Sequence, residues 1–359
     1  MGIGLPRIEI NFKQLAASIV SRSARGIVAL IVKDDTKKDI TIKEYRSSLD
    51  IESADFTPKN IKYIKDVFLG VPSKVFVIRV DTTSTDVVKD AIQAIGSRKY
   101  NWIGLAEGTK TEHQALTTYI KEQEAKKKTV KAVVYNPTTS DSMHVVNFTN
   151  ESVTYKDGET ATGDKYIARL LGIFAGLPMT RSGTYLSLPE LNHVVEPEDV
   201  EEAINAGQLV LINDDETVRI GRGVNSLSTL GQDKTPDMQK IIIVESMDMI
   251  LEDIYSTFKN EYLGKYKNKY DNQVLLISAI NSYFDALADE DILDSNFDNK
   301  CQVDIEAQRA AWLAIGKTEA QEWDDTTVKN HTFRSNVYLS GKTKILDAIE
   351  DFTFNIDME

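Results

Sequence analysis

The sequence predicts an α/β fold, α+β overall, in which an α/β domain is followed by a helical-and-hairpin C-terminal domain and both chain ends form extended strand arms. Two observations lead to this prediction. Through residues 26–230, strand-like runs alternate with helix-like segments, which is typical of a largely parallel sheet. From Thr235 onward, apolar residues recur at helical spacing instead.

The elements of the α/β domain follow from the period of its apolar residues. Strands are predicted at residues 26–32, 75–80, 102–106, 130–135, 145–155, 208–212 and 217–220. Helices are predicted at residues 58–69, 84–95, 111–127, 165–176 and 197–206. The last of these helices has Pro197 at its first position and Gly207 as its stop signal.

The C-terminal domain, residues 231–346, is predicted to be mainly helical. Its helices are expected between Thr235 and Gly264, at residues 273–289 and at residues 304–315. Residues 317–336 are polar and irregular, which predicts a loop. Residues 337–346 are predicted to form a hairpin with its turn at residues 340–342.

Both chain ends, residues 1–25 and 347–359, carry a short amphipathic strand. In each strand every second residue is apolar: Ile8, Ile10 and Phe12 at one end, and Phe352, Phe354 and Ile356 at the other. Residues 1–33 carry five basic side chains and one acidic, whereas residues 341–359 carry five acidic and two basic. Such ends suit pairing within one chain or between chains, and the pattern alone leaves both open.

The composition excludes several classes of function. The net charge of −13 argues against a nucleic-acid partner, and the single cysteine excludes an intramolecular disulfide framework and a multi-thiolate zinc site. No apolar run approaches the roughly 20 residues that cross a bilayer, and the N-terminus lacks the apolar core of a signal peptide. We therefore expect no membrane partner and a chain that stays in a cytoplasm until lysis.

The sequence contains no convincing catalytic, cofactor or metal motif. Asp294, Asn296 and Asp298 begin a calcium-loop pattern, but Asn299 and Ile305 stand where glycine and glutamate are required. The four histidines are scattered, no Gly-x-Ser-x-Gly elbow occurs, and the glycine pairs lack the context of a phosphate loop. We expect no cofactor, no metal and no catalysis.

One stretch, residues 259–270, interleaves lysine with tyrosine. Its basic residues are Lys259, Lys265, Lys267 and Lys269. Stacking on nucleic acid is one interpretation. A contact with an acidic protein surface suits the acidic chain at least as well, and a solvated helix end is the simplest interpretation.

Five groups of residues carry a resemblance to a known family. They are residues 4–12 with 19–31, residues 166–178 with 181–185, residues 206–213 with 222–227, residues 303–309, and residues 347–351. Together, in this order, they resemble the tail sheath proteins of contractile phage tails and phage-tail-like bacteriocins, and they span nearly the whole chain. Residues 319–334 depart from the family pattern.

The resemblance implies a structural subunit that polymerises helically around a tail tube and contracts to drive the tube through a target cell envelope. Residues 231–346 would form the inner layer, residues 26–230 the outer domain, and the two arms would join neighbouring subunits. The implied partners are further copies of the chain, the tail tube protein, and baseplate and tail-terminator proteins. The four lysines of residues 259–270 become candidates for facing the tube.

The implied location is a virion or phage-tail-like particle that assembles in the host cytoplasm and is released on lysis. Two alternatives remain open at this point. One is an α/β hydrolase or transferase without a recognisable motif, with its site at the carboxyl edge of the sheet. The other is a different structural protein of the same tail, such as a baseplate component.

Overall fold

The computed structural model describes residues 19–358, and these divide into two compact units. The larger unit comprises residues 23–252 and 345–358, and the smaller comprises residues 19–22 and 253–344. The boundary between residues 252 and 253 therefore lies downstream of residue 230, at which the α/β domain was predicted to end. Residues 345–358 belong to the larger unit. The outer and inner positions of the two domains stay a prediction.

The larger unit contains twelve strands and most of six helices among the described residues. The strands are β1 Ile27–Lys33, β2 Ile42–Tyr45, β3 Lys74–Val80, β4 Trp102–Leu105, β5 Lys131–Tyr135, β6 Val145–Phe148, β7 Ser152–Tyr155, β8 Thr160–Thr162, β9 Leu191–Val194, β10 Gln208–Leu209, β11 Leu211–Asp214 and β12 Thr217–Ile220. The helices are α1 Pro58–Phe68, α2 Val87–Ile95, α3 Lys110–Ala125, α4 Ile167–Gly176, α5 Val200–Asn205 and α6 Ile241–Thr257, of which α6 continues into the smaller unit.

A seven-stranded sheet organises this unit, with the strand order β10-β6-β5-β4-β1-β3-β2. All neighbours are parallel except β2, which runs antiparallel to β3. Alternate side chains of β1 enter two different apolar cores. Val28 and Leu30 pack with residues of α1 and α4, whereas Ala29 and Ile31 pack with residues of α2 and α3. Because helices cover both faces, the strands are almost continuously apolar, and the predicted α/β fold is confirmed.

Residues 145–155 form two strands in two sheets, so the single long strand predicted there was wrong. β6 belongs to the large sheet, and β7 joins β8 and β9 in a three-stranded sheet. Asn150 lies between them, fully buried, and its amide donates to the carbonyls of Val195 and Leu211 at 3.0 and 2.9 Å. These bonds stabilise the connection by which the chain leaves the first sheet. β11 and β12 form a separate two-stranded sheet.

The smaller unit contains α7 Tyr270–Asp289, β13 Lys300–Val303, α8 Ile305–Ala314, α9 Asp325–Asn330 and β14 Leu339–Lys342. The hairpin predicted at residues 337–346 was wrong. Its supposed turn residues lie inside β14, which pairs antiparallel with β13 through the register Cys301 opposite Gly341. The sequence did not reveal β13 because only Cys301 and Val303 of its four residues are buried.

The loop predicted at residues 317–336 contains a 3-10 turn at Thr318–Glu322 and the short helix α9. Side chains of α8 hold both elements. Gln308 donates to the carbonyl of Val328 at 2.6 Å, and Arg309 donates to the carbonyl of Ala320 at 2.8 Å. Tertiary hydrogen bonds thus stabilise a segment whose composition is polar. None of the described helices is long and apolar enough to cross a membrane.

Candidate functional site

The C-terminal arm is the most exposed apolar segment among the described residues. Residues 351–358 form no regular secondary structure. The exposed fractions of Phe352, Phe354 and Ile356 are 84%, 69% and 69%. Three large apolar side chains at alternate positions in contact with water indicate a surface for a partner. The corresponding residues of the N-terminal arm, Ile8, Ile10 and Phe12, lie outside the described residues.

The root of the C-terminal arm is held firmly on the larger unit. The side chain of Glu350 is only 3% exposed. The hydroxyl of Thr184 donates to Glu350 Oε1 at 2.6 Å, and Ser182 Oγ lies 3.0 Å from the same oxygen. On the other side of the carboxylate, Lys240 Nζ lies 2.9 Å from Oε2 and Arg222 Nε lies 3.7 Å from it. We call these five residues the arm-root cluster.

Two further ion pairs flank the arm-root cluster. Lys240 also contacts Asp347 at 2.5 Å, and Arg222 contacts Asp351 at 2.6 Å. Burial alone would raise the pKa of Glu350, but the bonds from Thr184, Lys240 and Ser182 outweigh it and hold this pKa below its ordinary value. Glu350 is therefore ionised near neutral pH, and its charge is matched by Lys240.

The two-stranded sheet β13–β14 offers an edge on which another strand could add. The outer edge of β13 is occupied, since the N–H of Cys301 donates to Asn281 Oδ1 at 2.7 Å and Asn281 Nδ2 donates to the Cys301 carbonyl at 3.2 Å. Across residues 19–358, no strand pairs with the outer edge of β14. A two-stranded sheet with an open edge is a ready template for strand addition.

The lysine–tyrosine stretch lies on the surface of the smaller unit. Lys265 pairs with Glu261 at 3.5 Å, and Lys269 pairs with Asp271 at 2.9 Å. All four candidate tube-facing lysines, Lys259, Lys265, Lys267 and Lys269, are exposed. Beside them lies an apolar groove of about 400 Å³, whose lining includes Phe258, Tyr262, Tyr266, Leu276 and Val337. Contact with a tube stays a prediction for these lysines.

A buried ionic network in the larger unit was missed by the sequence analysis. Asp248 on α6 contacts Lys131 Nζ at 2.5 Å and His144 Nε2 at 3.0 Å. Lys131 also contacts Glu245 at 3.1 Å, and His144 Nδ1 lies 3.3 Å from Glu124. The available signal was Lys131 itself, a lysine in a strand that is otherwise apolar on both faces.

Asp294, considered above as the first residue of a calcium loop, has structural partners. Asp294 pairs with Lys344 at 2.8 Å and accepts the N–H of Asn296 at 2.9 Å. Burial raises the pKa of the Cys301 thiol to about 11, which disfavours a nucleophilic thiolate. Within residues 19–358, no group of three or more His, Cys, Asp or Glu side chains is arranged to hold a metal ion.

Comparison with known proteins places this architecture in a family. Residues 81–226 match the model of the phage tail sheath protein central domain, and residues 233–359 match that of the phage tail sheath C-terminal domain. The chain is also 34% identical to the tail sheath protein of Clostridium phage phiCD119, over 99% of both chains. The chain belongs to the phage tail sheath protein family. It is therefore a structural sheath protein.

Solved sheath structures share the fold. The sheath tail protein of Desulfitobacterium hafniense is 16% identical, with a TM-score of 0.70 over 83% of this chain and 94% of that one. The helical sheath of the anti-feeding prophage in its contracted state is 13% identical, with a TM-score of 0.70 over 99% of both chains. The predicted resemblance to contractile sheaths is thereby confirmed.

Proposed function

We propose that this sheath protein polymerises helically around a tail tube through exchange of its terminal strands, and that the resulting lattice contracts to drive the tube through a target envelope. The observation that supports it most directly is the C-terminal arm, whose apolar side chains alternate along the sequence and are exposed to solvent. Strand addition supplies main-chain hydrogen bonds for affinity and alternate side chains for register.

The outer edge of β14 is the acceptor that we propose for an arm of a neighbouring subunit. Within the two-stranded sheet β13–β14, the Asn281 side chain occupies the edge of β13 at Cys301, whereas no described strand pairs with the outer edge of β14. Residues 352–358 would reach about 23 Å at roughly 3.3 Å per residue, which is long enough to span the four residues of β14. A head-to-tail contact of this kind generates an open helix when its rotation does not close into a ring.

Contraction needs no nucleotide if the extended lattice is metastable and the contracted lattice has lower free energy. Arms keep neighbouring subunits tethered while the domains change their packing. Each main-chain hydrogen bond contributes roughly 0.5–1.5 kcal/mol net, so a few bonds per arm become strong only when many subunits share them. In this proposal the protein catalyses no turnover of a small molecule and requires no cofactor.

The remaining partners in this proposal are the tail tube, reached through Lys259, Lys265, Lys267 and Lys269, and the baseplate and terminator proteins at the two ends. The inner layer would be formed by residues 231–346 and the outer domain by residues 26–230. The particle would assemble in the host cytoplasm and leave on lysis. A baseplate role is separated from a sheath role by copy number, because a sheath subunit is among the most abundant proteins of a tail.

The test is assembly of purified protein into tubes, followed by sedimentation and electron microscopy. Phe354→Asp places a charge on the apolar face of the arm and should abolish tubes, whereas the matched control Thr353→Asp places it on the opposite face. Ile10→Lys and Asn11→Lys form the corresponding pair in the N-terminal arm. Deletion of residues 1–13 or 351–359 should leave a soluble protein that melts cooperatively and forms no tubes. Tubes from the truncated proteins would refute the exchange of arms.

A further inference from the structure

Three stretches that the sequence analysis singled out meet at one place in the fold. They are residues 181–185, 222–227 and 347–351, and they supply four of the five members of the arm-root cluster. Thr184 and Glu350 are 166 positions apart in sequence, yet a 2.6 Å hydrogen bond joins them. Thr184 also accepts the N–H of Gly223 at 2.9 Å, so the hydroxyl is oriented to donate to the carboxylate.

The burial of neighbouring residues shows that a charge, and no apolar side chain, anchors the arm. Ile349 is 97% exposed and Phe352 is 84% exposed, whereas the Glu350 side chain between them is 3% exposed. Burying a carboxylate is unfavourable unless the protein replaces its water with hydrogen bonds and an opposite charge. Here Thr184, Ser182 and Lys240 make that replacement.

We propose that Glu350 is the positioning residue of strand exchange: it fixes the root of the C-terminal arm on its own subunit, so that the exchangeable segment begins at Phe352. This inference rests on the proposed function. A fixed root restricts the volume that the free arm explores and raises its effective concentration at a neighbour. Residues 347–351 are already ordered in the single subunit, so the entropic cost of ordering them does not arise when the arm binds.

The fixed root acts as a clamp on the arm. When the lattice changes, a pulling force on the arm is transmitted to the subunit by the fixed side chain that lies nearest to the arm's free end. Asp351 is 81% exposed, and its pair with Arg222 is weakened by water and salt. Glu350 is the first residue from the arm's free end whose bonds are shielded from solvent.

A spin-label experiment tests the clamp without assembly. Ile349→Cys and Phe354→Cys each receive a nitroxide, and the native Cys301 is buried at 6% exposure. We expect the label at position 349 to be at least tenfold slower in its motion than the label at 354. Glu350→Gln, or Thr184→Ala, which leaves the arm sequence intact, should make the label at 349 as mobile as that at 354. The control Glu216→Gln removes an exposed carboxylate in the β11–β12 turn and should change nothing.

Assembly supplies the second readout. Glu350→Gln and Thr184→Ala should raise the critical concentration for tubes at least tenfold, while the melting of the larger unit shifts by only a few degrees. Equal label mobility at positions 349 and 354 in the otherwise native protein would overturn the clamp, and so would variants that assemble at the native concentration. If Glu350→Gln fails to fold, Thr184→Ala decides the matter. Absence of tubes from the native protein would count against the proposed function, and the label mobilities would still judge the clamp.

Discussion

Removing the charge of Asp248 should destabilise the larger unit strongly. The side chains of Asp248, Lys131 and His144 are 8%, 3% and 4% exposed, so solvent cannot compensate a lost partner. In Asp248→Asn, Lys131 keeps Glu245 and the Thr129 carbonyl, and His144 keeps Glu124. Breaking a buried ion pair by removing one partner costs about 3–5 kcal/mol, and the remaining acids favour the lower end. A loss of about 3 kcal/mol is a large part of the roughly 5–15 kcal/mol that stabilises a domain.

Urea unfolding of the unassembled protein measures this loss, with hydrogen exchange of β5 reporting on the larger unit. With a urea dependence of about 1–3 kcal/mol per molar, the midpoint should fall by about 1–3 M. The control Asp271→Asn removes an 80% exposed carboxylate from the smaller unit and should change stability by less than about 0.5 kcal/mol. A midpoint for Asp248→Asn within about 0.5 M of the native value would refute the role of the network.

The same network predicts how stability depends on pH. Burial would lower the pKa of His144, but hydrogen bonds to Asp248 and Glu124 outweigh it and raise the pKa above its ordinary value. The stabilisation by protonated His144 is thus complete below about pH 6.5 and is lost as pH rises through the raised pKa. For Glu124, burial is outweighed by bonds from His144, Lys234 and Ser142, which lower its pKa to about 2. Its stabilisation is present above about pH 4 and is lost as pH falls towards 2.

Two further predictions concern packing and the tube. Gly172→Ala should destabilise the larger unit by about 1–3 kcal/mol, because the added Cβ would lie 2.1 Å from the Val67 carbonyl oxygen, whereas Gly231→Ala meets nothing within 4 Å; thermal melting compares the two. Replacing the candidate tube-facing lysines by glutamine should leave self-assembly intact and reduce salt-sensitive co-sedimentation with tube protein, each lysine contributing about 0–1 kcal/mol. Unchanged binding would remove this assignment for Lys259, Lys265, Lys267 and Lys269.

The parallel sheet could be predicted from sequence because its central strands are mostly apolar runs. The predicted strand at residues 26–32 is β1, Ile27–Lys33, and the predicted strand at residues 75–80 is β3, Lys74–Val80. In such runs the local pattern and the buried environment agree, since both faces of the sheet are covered by helices. The helix ends were less accurate: the helix predicted at residues 84–95 begins at Val87, because Asp86 caps it by accepting the N–H of Lys89.

Elements that lack a local pattern of their own and depend on partners distant in sequence could not be predicted. β14 was assigned to a turn because Ser340-Gly341-Lys342 has turn composition, but its partner β13 lies about 40 residues earlier in the register Gln302 opposite Ser340. The arm-root cluster was invisible for the same reason. Glu350 and Lys240 belong to stretches that show no feature of a joint site until the fold brings them within 2.9 Å.

The C-terminal arm shows that local pattern and observed structure can disagree for a physical reason. Its alternation predicts a strand, yet the single chain leaves Phe352, Phe354 and Ile356 exposed and irregular. Burying three such side chains contributes about 1.5–3 kcal/mol each, and main-chain bonds add roughly 0.5–1.5 kcal/mol each. Ordering the seven backbone residues 352–358 opposes this by about 1–2 kcal/mol per residue. These contributions nearly cancel, so in the proposed exchange a single arm would bind a neighbouring subunit only weakly. A lattice of many such contacts would hold together while each single contact can still adjust, which is what a sheath that changes its length requires.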